Sequence, residues 1–124
     1  MLTRLVNLLN IGIGLRSRKE LEMSEPDKKR KVFISLPMRG LTDDEIKERI
    51  QSLYSHLSNG YELIDTFWTE TPPNPNNQLW YLGKSIQALG EADLVVFAWD
   101  WAVAPGCQVE MSACEAYGIP YVTS

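Results

Sequence analysis

Histidine and cysteine are scarce in this chain of 124 residues, which holds one histidine and two cysteines. The single imidazole, His56, has no cysteine or carboxylate partner at ligand spacing, so a histidine-based metal centre or catalytic pair is not indicated. Near the end of a predicted helix, it reads as a surface residue. Cys107 and Cys114 fall seven positions apart, about 10 Å along a helix axis and too far for a disulfide. They read as small buried hydrophobes in a reducing, cytoplasmic compartment. Basic charge is also short: 12 Lys and Arg face 16 Asp and Glu, for a net charge of −4. That balance argues against a binder of nucleic-acid polymers or membrane surfaces, which needs a basic face. No apolar run reaches bilayer length. The longest, residues 5–15, is flanked by Arg4, Arg16, Arg18 and Lys19 without a small-residue cleavage site. Neither a Walker pattern nor G-x-G-x-x-G is present, so a P-loop nucleotidase and a dinucleotide fold are not indicated. No metal or cofactor is expected, and there are no internal repeats.

What is present is an ordinary globular composition, 44% apolar and 23% charged, in a length that suits one domain. Residues 1–30 differ from the rest and are read as an N-terminal extension, weakly ordered or amphipathic, that docks on a neighbour. Met23 resembles a natural start, and Lys28 to Lys31 reads as a solvated ramp into the domain at 31–124. Within that domain, Lys31 to Leu36 is a short apolar strand. Thr42 and Glu45 form a capping-box pattern, and Ile46, Ile50, Leu53 and Leu57 repeat at helical spacing up to Asn59-Gly60. Tyr61 to Phe67 reads as a second strand, and a proline-rich loop follows. Gln78 to Gly90 carries Leu79, Leu82, Ile86 and Leu89 on one helical stripe. Leu94 to Trp99 is a continuous apolar run, expected as a strand buried on both faces. A turn leads to a helix from about Gly106 to Tyr117, stopped by Gly118 with Pro120 beyond. Tyr121 to Thr123 is a last short strand. The alternation βαβαβαβ points to a parallel sheet with right-handed crossovers.

In such a sheet, ligands bind outside the carboxyl ends of the strands. Glu110, in the first turns of the last helix, is therefore the leading chemical candidate, as a nucleophile or general base. Its helix is expected to pack on the sheet through Val109, Ala113 and Ala116. Pro37, Met38, Arg39 and Gly40 form the strand-to-helix loop where α/β proteins hold phosphates, with Arg39 offering a bidentate contact. Asp43 and Asp44 compete for the same helix dipole. Six aromatic residues, Phe67, Trp68, Trp80, Tyr81, Trp99 and Trp101, fall near predicted strand ends. Most read as packing, and one or two as a stacking surface for a planar ligand.

KVFISLPMRG, LGKSIQALGEADLVVF and W-x-x-A-x-G-C-x-x-E followed by A-x-x-YGIP resemble the nucleoside 2-deoxyribosyltransferase-like superfamily, over roughly residues 31–122. The resemblance implies a flavodoxin-like three-layer α/β domain with four to five parallel strands, usually in a homodimer or higher oligomer. It also implies chemistry at the N-glycosidic bond of nucleosides or nucleotides. Glu110 matches the nucleophilic glutamate, with Gly106 opening its motif. Ser35 to Gly40 matches the loop that cradles the sugar or, in the related 2′-deoxynucleoside 5′-phosphate N-hydrolases, the 5′-phosphate. Two positions depart from the pattern. Ser85 stands where active members often carry an aspartate, so the leaving-group acid falls to Asp65, Asp93 or Asp100, of which Asp100 is taken with Glu110 as catalytic. Ala104 replaces a serine ahead of the glycine.

The expected activity is thus hydrolysis or transfer at a nucleoside or nucleoside 5′-monophosphate. Glu110 would attack C1′, Arg39 would hold the 5′ end, and Trp68 or Trp101 would stack on the base. A non-catalytic nucleotide-binding protein on the same fold is the alternative, and a structural oligomer with a decayed site is a third.

Overall fold

Four short parallel strands carry the molecule among the described residues, 29–124, of the computed structural model. The readings made for 1–28, including the apolar stretch at 5–15 and the start at Met23, lie outside the described residues. The strands are β1 (Arg30–Ser35), β2 (Tyr61–Leu63), β3 (Leu94–Phe97) and β4 (Tyr121–Thr123). Helices α1 (Asp43–Tyr54), α2 (Gln78–Leu89) and α3 (Pro105–Tyr117) connect them in turn. The sheet order is β2-β1-β3-β4, with Ser35 at the end of β1 in register with Phe97 at the end of β3. The chain leaves β1 toward β2 on one side, and leaves β3 toward β4 on the other. Their connections diverge and open a crevice at the strand ends. This is the flavodoxin-like arrangement.

Period-two alternation divides the core between the two faces of the sheet. Val32, Ile34, Val96 and Ala98 face α1 and meet its Ile46 and Ile50. Phe33, Val95 and Phe97 face the other way, against Leu89 of α2 and Met111 and Cys114 of α3. Phe97, Leu89, Val32 and Val95 are completely enclosed. Each such side chain contributes roughly 1.5–3 kcal/mol of burial.

Local chemistry sets the ends of the elements. Thr42 Oγ1 accepts from the Glu45 N–H while the Glu45 carboxylate accepts from the Thr42 N–H, the expected capping box. At the other end of the chain Gly118 is left-handed, with φ +69°, and its N–H closes on the Cys114 carbonyl. That conformation is where glycine has its advantage over any residue with a Cβ.

Several sequence expectations are corrected. Helix α1 stops at Tyr54 rather than continuing to Asn59, because Ser55 caps it and the chain turns through His56 and Leu57. There the Tyr54 hydroxyl donates to the Tyr61 carbonyl. Strand β2 ends at Leu63, since the Asp65 carboxylate accepts from the Phe67 N–H and folds the chain into a turn. Strand β3 ends at Phe97, and Trp99 is 76% exposed instead of buried. Leu79, at the first turn of α2, is 74% exposed. The stripe runs inward only from Leu82 and Ile86 to Leu89.

Candidate functional site

Helix α3 is rotated relative to expectation. Cys107, Glu110, Met111 and Cys114 are its buried residues, at i, i+3, i+4 and i+7. Val109 is 45% exposed and Ala116 is exposed. The helical face that meets the sheet therefore includes Glu110, and only 7% of the glutamate remains accessible. Its carboxylate oxygen Oε1 accepts a 2.6 Å hydrogen bond from Ser35 Oγ, at the very end of β1. Ser35 is 2% exposed, and its alternation with Phe33 turns the hydroxyl toward α3. Cys107, one turn before Glu110, is also buried and lies within hydrogen-bonding influence of the same serine.

This trio occupies the crevice between β1 and β3. No cation is paired with Glu110 among the described residues, so burial raises its pKa from 4.5 to about 6, with the Ser35 hydroxyl opposing the rise. Burial pushes the Cys107 thiol up to about 11. At neutral pH the site holds a carboxylate and a protonated thiol around one hydroxyl. A desolvated carboxylate is a strong base and nucleophile once something reaches it.

The candidate acids separate. Asp93 lies at the opposite end of the sheet, where its Oδ2 accepts from the Lys31 N–H at the start of β1. Asp65 is exposed and occupied by its own turn. Asp100 alone stands at the strand ends, and it is bound in a two-pronged pair with Arg49 of α1, at 2.9 and 3.3 Å. The Arg49 guanidinium holds the Asp100 carboxyl below its ordinary range, so it is not a proton donor near neutrality.

The loop between β1 and α1 differs from a phosphate cradle. Met38 to Leu41 makes a tight turn that needs the positive φ of Gly40, +83°. Pro37 is half-buried, while Met38 and Arg39 are exposed, and Arg39 has no ion-pair partner among the described residues. The first turn of α1 is occupied by its capping box and carries Asp43, Asp44 and Glu45. By contrast, α3 begins with Pro105, has no side-chain cap and carries no acid in its first turn. The helix end more open to an anion is therefore that of α3.

The other candidates divide likewise. Trp68 belongs to the segment after β2. It lines a cavity of about 330 Å³ with Ile64, Lys84, Gln87 and Glu91, toward the far end of α2. Trp101 begins a short 3₁₀ turn (Trp101–Val103) and packs on Phe97, centroid to centroid 5.7 Å. Ser85 is half-buried in the middle of α2. Gly106 adjoins α2, but a Cβ there would meet Leu82 Cδ1 at 3.8 Å, an ordinary contact. Close helix packing therefore does not require this glycine. His56 is exposed, with Nδ1 2.7 Å from the Ser52 carbonyl.

Arg49 and Cys107 were not among the sequence candidates for the site. The 107-110-111-114 spacing was the available signal for Cys107, because it puts Glu110 on the apolar face. Nothing local marks Arg49, whose partner is 51 positions away.

The fold has a counterpart among solved structures. A conserved protein from Enterococcus faecalis V583 superposes with a TM-score of 0.57 at 15% identity, over 77% of this chain and 62% of that one. At that identity the likeness is one of fold alone. The chain thus spans under two thirds of its neighbour's length. No family model and no curated protein matches the sequence. Among the described residues no helix is long and apolar enough to cross a membrane.

Proposed function

We propose that the chain is an N-glycosidic bond hydrolase or deoxyribosyltransferase acting on nucleosides or nucleoside 5′-monophosphates, with Glu110 as nucleophile. The observation that carries this reading is the buried Glu110–Ser35 pair at the crevice between β1 and β3. A carboxylate kept there at a cost in stability, without a cation among the described residues, is better explained by chemistry than by folding. Its oxygen attacks C1′ as the C1′–N bond breaks, and the base departs with the bonding electrons. The base takes its proton from solvent, since Asp100 is held as a carboxylate. Water then opens the glycosyl ester to give hydrolysis, or a second base opens it to give transfer. Ser35 orients the nucleophile. Arg39, exposed and unpaired among the described residues, is assigned to the 5′ end.

A second reading, binding without turnover, draws on the engagement of Asp100 by Arg49, which takes the candidate acid at the strand ends out of use as a proton donor. One experiment separates the two. The protein is incubated with the four deoxynucleosides and their monophosphates, and free base is followed by chromatography with Glu110→Ala as control. Base released by the wild type alone supports the glycosidic reading. A nucleotide-dependent rise in Tm without any released base supports binding instead.

A further inference from the structure

We infer that Arg49 is a positioning residue that holds the β3–α3 loop closed over the crevice, so that access to Glu110 requires the Arg49–Asp100 pair to open. The inference rests on the burial of the site and not on the chemistry proposed for it. Ser35, Cys107 and Glu110 are 2%, 3% and 7% exposed. Two surface cavities, of about 330 and 270 Å³, lie between the segment after β2 and helices α2 and α1 respectively, and neither touches Glu110. With 7% of Glu110 accessible, a solute of nucleoside size reaches the carboxylate when part of the protein moves aside.

Residues 99–104 are the segment placed to move, beyond Ala98, which is buried against α1. They lead from the end of β3 to the start of α3 at the carboxyl ends of the strands, the end at which Ser35 closes β1. Among the described residues three side-chain ties hold them. Trp101 packs on Phe97, and Gln108 Nε2 donates to the Ala102 carbonyl at 2.6 Å. Both of these ties stay within β3, the loop and α3. The third crosses the sheet: Arg49, on the helix of the opposite layer, grips both oxygens of Asp100. With side chains 30% and 21% exposed, the pair is shielded from water without being sealed. On either side of the turn, Trp99 and Val103 are each 76% exposed, so no apolar burial anchors those positions. The cross-layer tie is therefore the one whose loss frees the loop from α1.

The two cysteines supply the test in the full chain. Cys107 sits in the first turn of α3, beside the loop. Cys114, two turns further on and 1% exposed, reports opening of the core itself. Iodoacetamide labelling of each thiol is followed by peptide mass spectrometry at one pH. Arg49→Ala is expected to speed Cys107 labelling roughly fivefold or more, with Cys114 unchanged. The charge of Arg49 favours the Cys107 thiolate. Its loss alone would slow alkylation, so acceleration reads access. The exchanged pair Arg49→Asp with Asp100→Arg is expected to bring the rate back toward wild type. Arg49→Met, which keeps the aliphatic stem and removes the same charge, serves if Arg49→Ala does not fold. Unchanged Cys107 labelling overturns the inference. So does a parallel rise at both cysteines, or an exchanged pair no better than the single variants. None of these outcomes depends on whether base is released from nucleosides.

Discussion

Glu110 sets two effects against each other. Burial moves its pKa from 4.5 to about 6. Between those values the folded chain keeps a proton that the unfolded chain has lost, so stability falls as pH rises through that window and stays lower above it. The shift corresponds to about 2 kcal/mol. Glu110→Gln, which keeps an acceptor for Ser35 and carries no charge, is expected to gain that amount relative to wild type between pH 4.5 and 7.5. Urea denaturation at the two pH values measures it, and a difference that does not move with pH would show that the carboxylate is not desolvated. The proposed nucleophile works only when ionised. Accordingly kcat/KM for base release is expected to climb with pH through about 6, and a profile flat from pH 5 to 8 would remove Glu110 from that role. More stable and inactive is the combination expected of Glu110→Gln.

Helix α3 explains why the glutamate was visible in the sequence while its surroundings were not. The helix and its left-handed glycine stop are local features, and they stand where the residue pattern puts them, with the start one residue earlier, at Pro105. Which face turns inward is not local. Of Val109, Ala113 and Ala116, apolar at helical spacing, only Ala113 packs on the core, while Cys107, Met111 and Cys114 win the interior and carry Glu110 with them. Gly106 is a test of site against scaffold. Since a Cβ meets only ordinary contact there, Gly106→Ala is expected to leave stability within about 0.5 kcal/mol of wild type or raise it slightly. A loss of activity at unchanged Tm would then mark close approach by a ligand. At α1 the capping box is structural. Thr42→Ala is expected to cost about 1 kcal/mol by removing the acceptor for the Glu45 N–H, read from the denaturation midpoint. A neutral result would mean that water caps that end equally well.

The molecule as a whole is layered unevenly, with α1 on one face of the sheet and α2 and α3 on the other. Its two central strands, β1 and β3, hold most of the enclosed side chains, whereas all three residues of β4 are exposed. Native-state hydrogen exchange is therefore expected to be slowest at Phe33, Ile34, Val95 and Val96, at the limit set by global unfolding. The amides of residues 99–103 are expected to exchange faster, through local opening. Equal protection in the loop and the central strands would mean that the crevice opens only when the whole domain does.

By itself, the sequence determined the class of fold and the order of its parts. Apolar runs, a capping box and a glycine stop act over a few neighbouring residues, where chain geometry leaves few alternatives. Glu110 at the strand ends follows from that order together with the parallel sheet. Tertiary structure alone decided what surrounds it: the inward turn of α3, the hydroxyl of Ser35 75 positions away and the grip of Arg49 on Asp100. It also sent Asp93 to the far end of the sheet and Trp68 to a different cavity. These arrangements depend on which side chains fill a shared space, and that competition is settled between elements rather than along the chain.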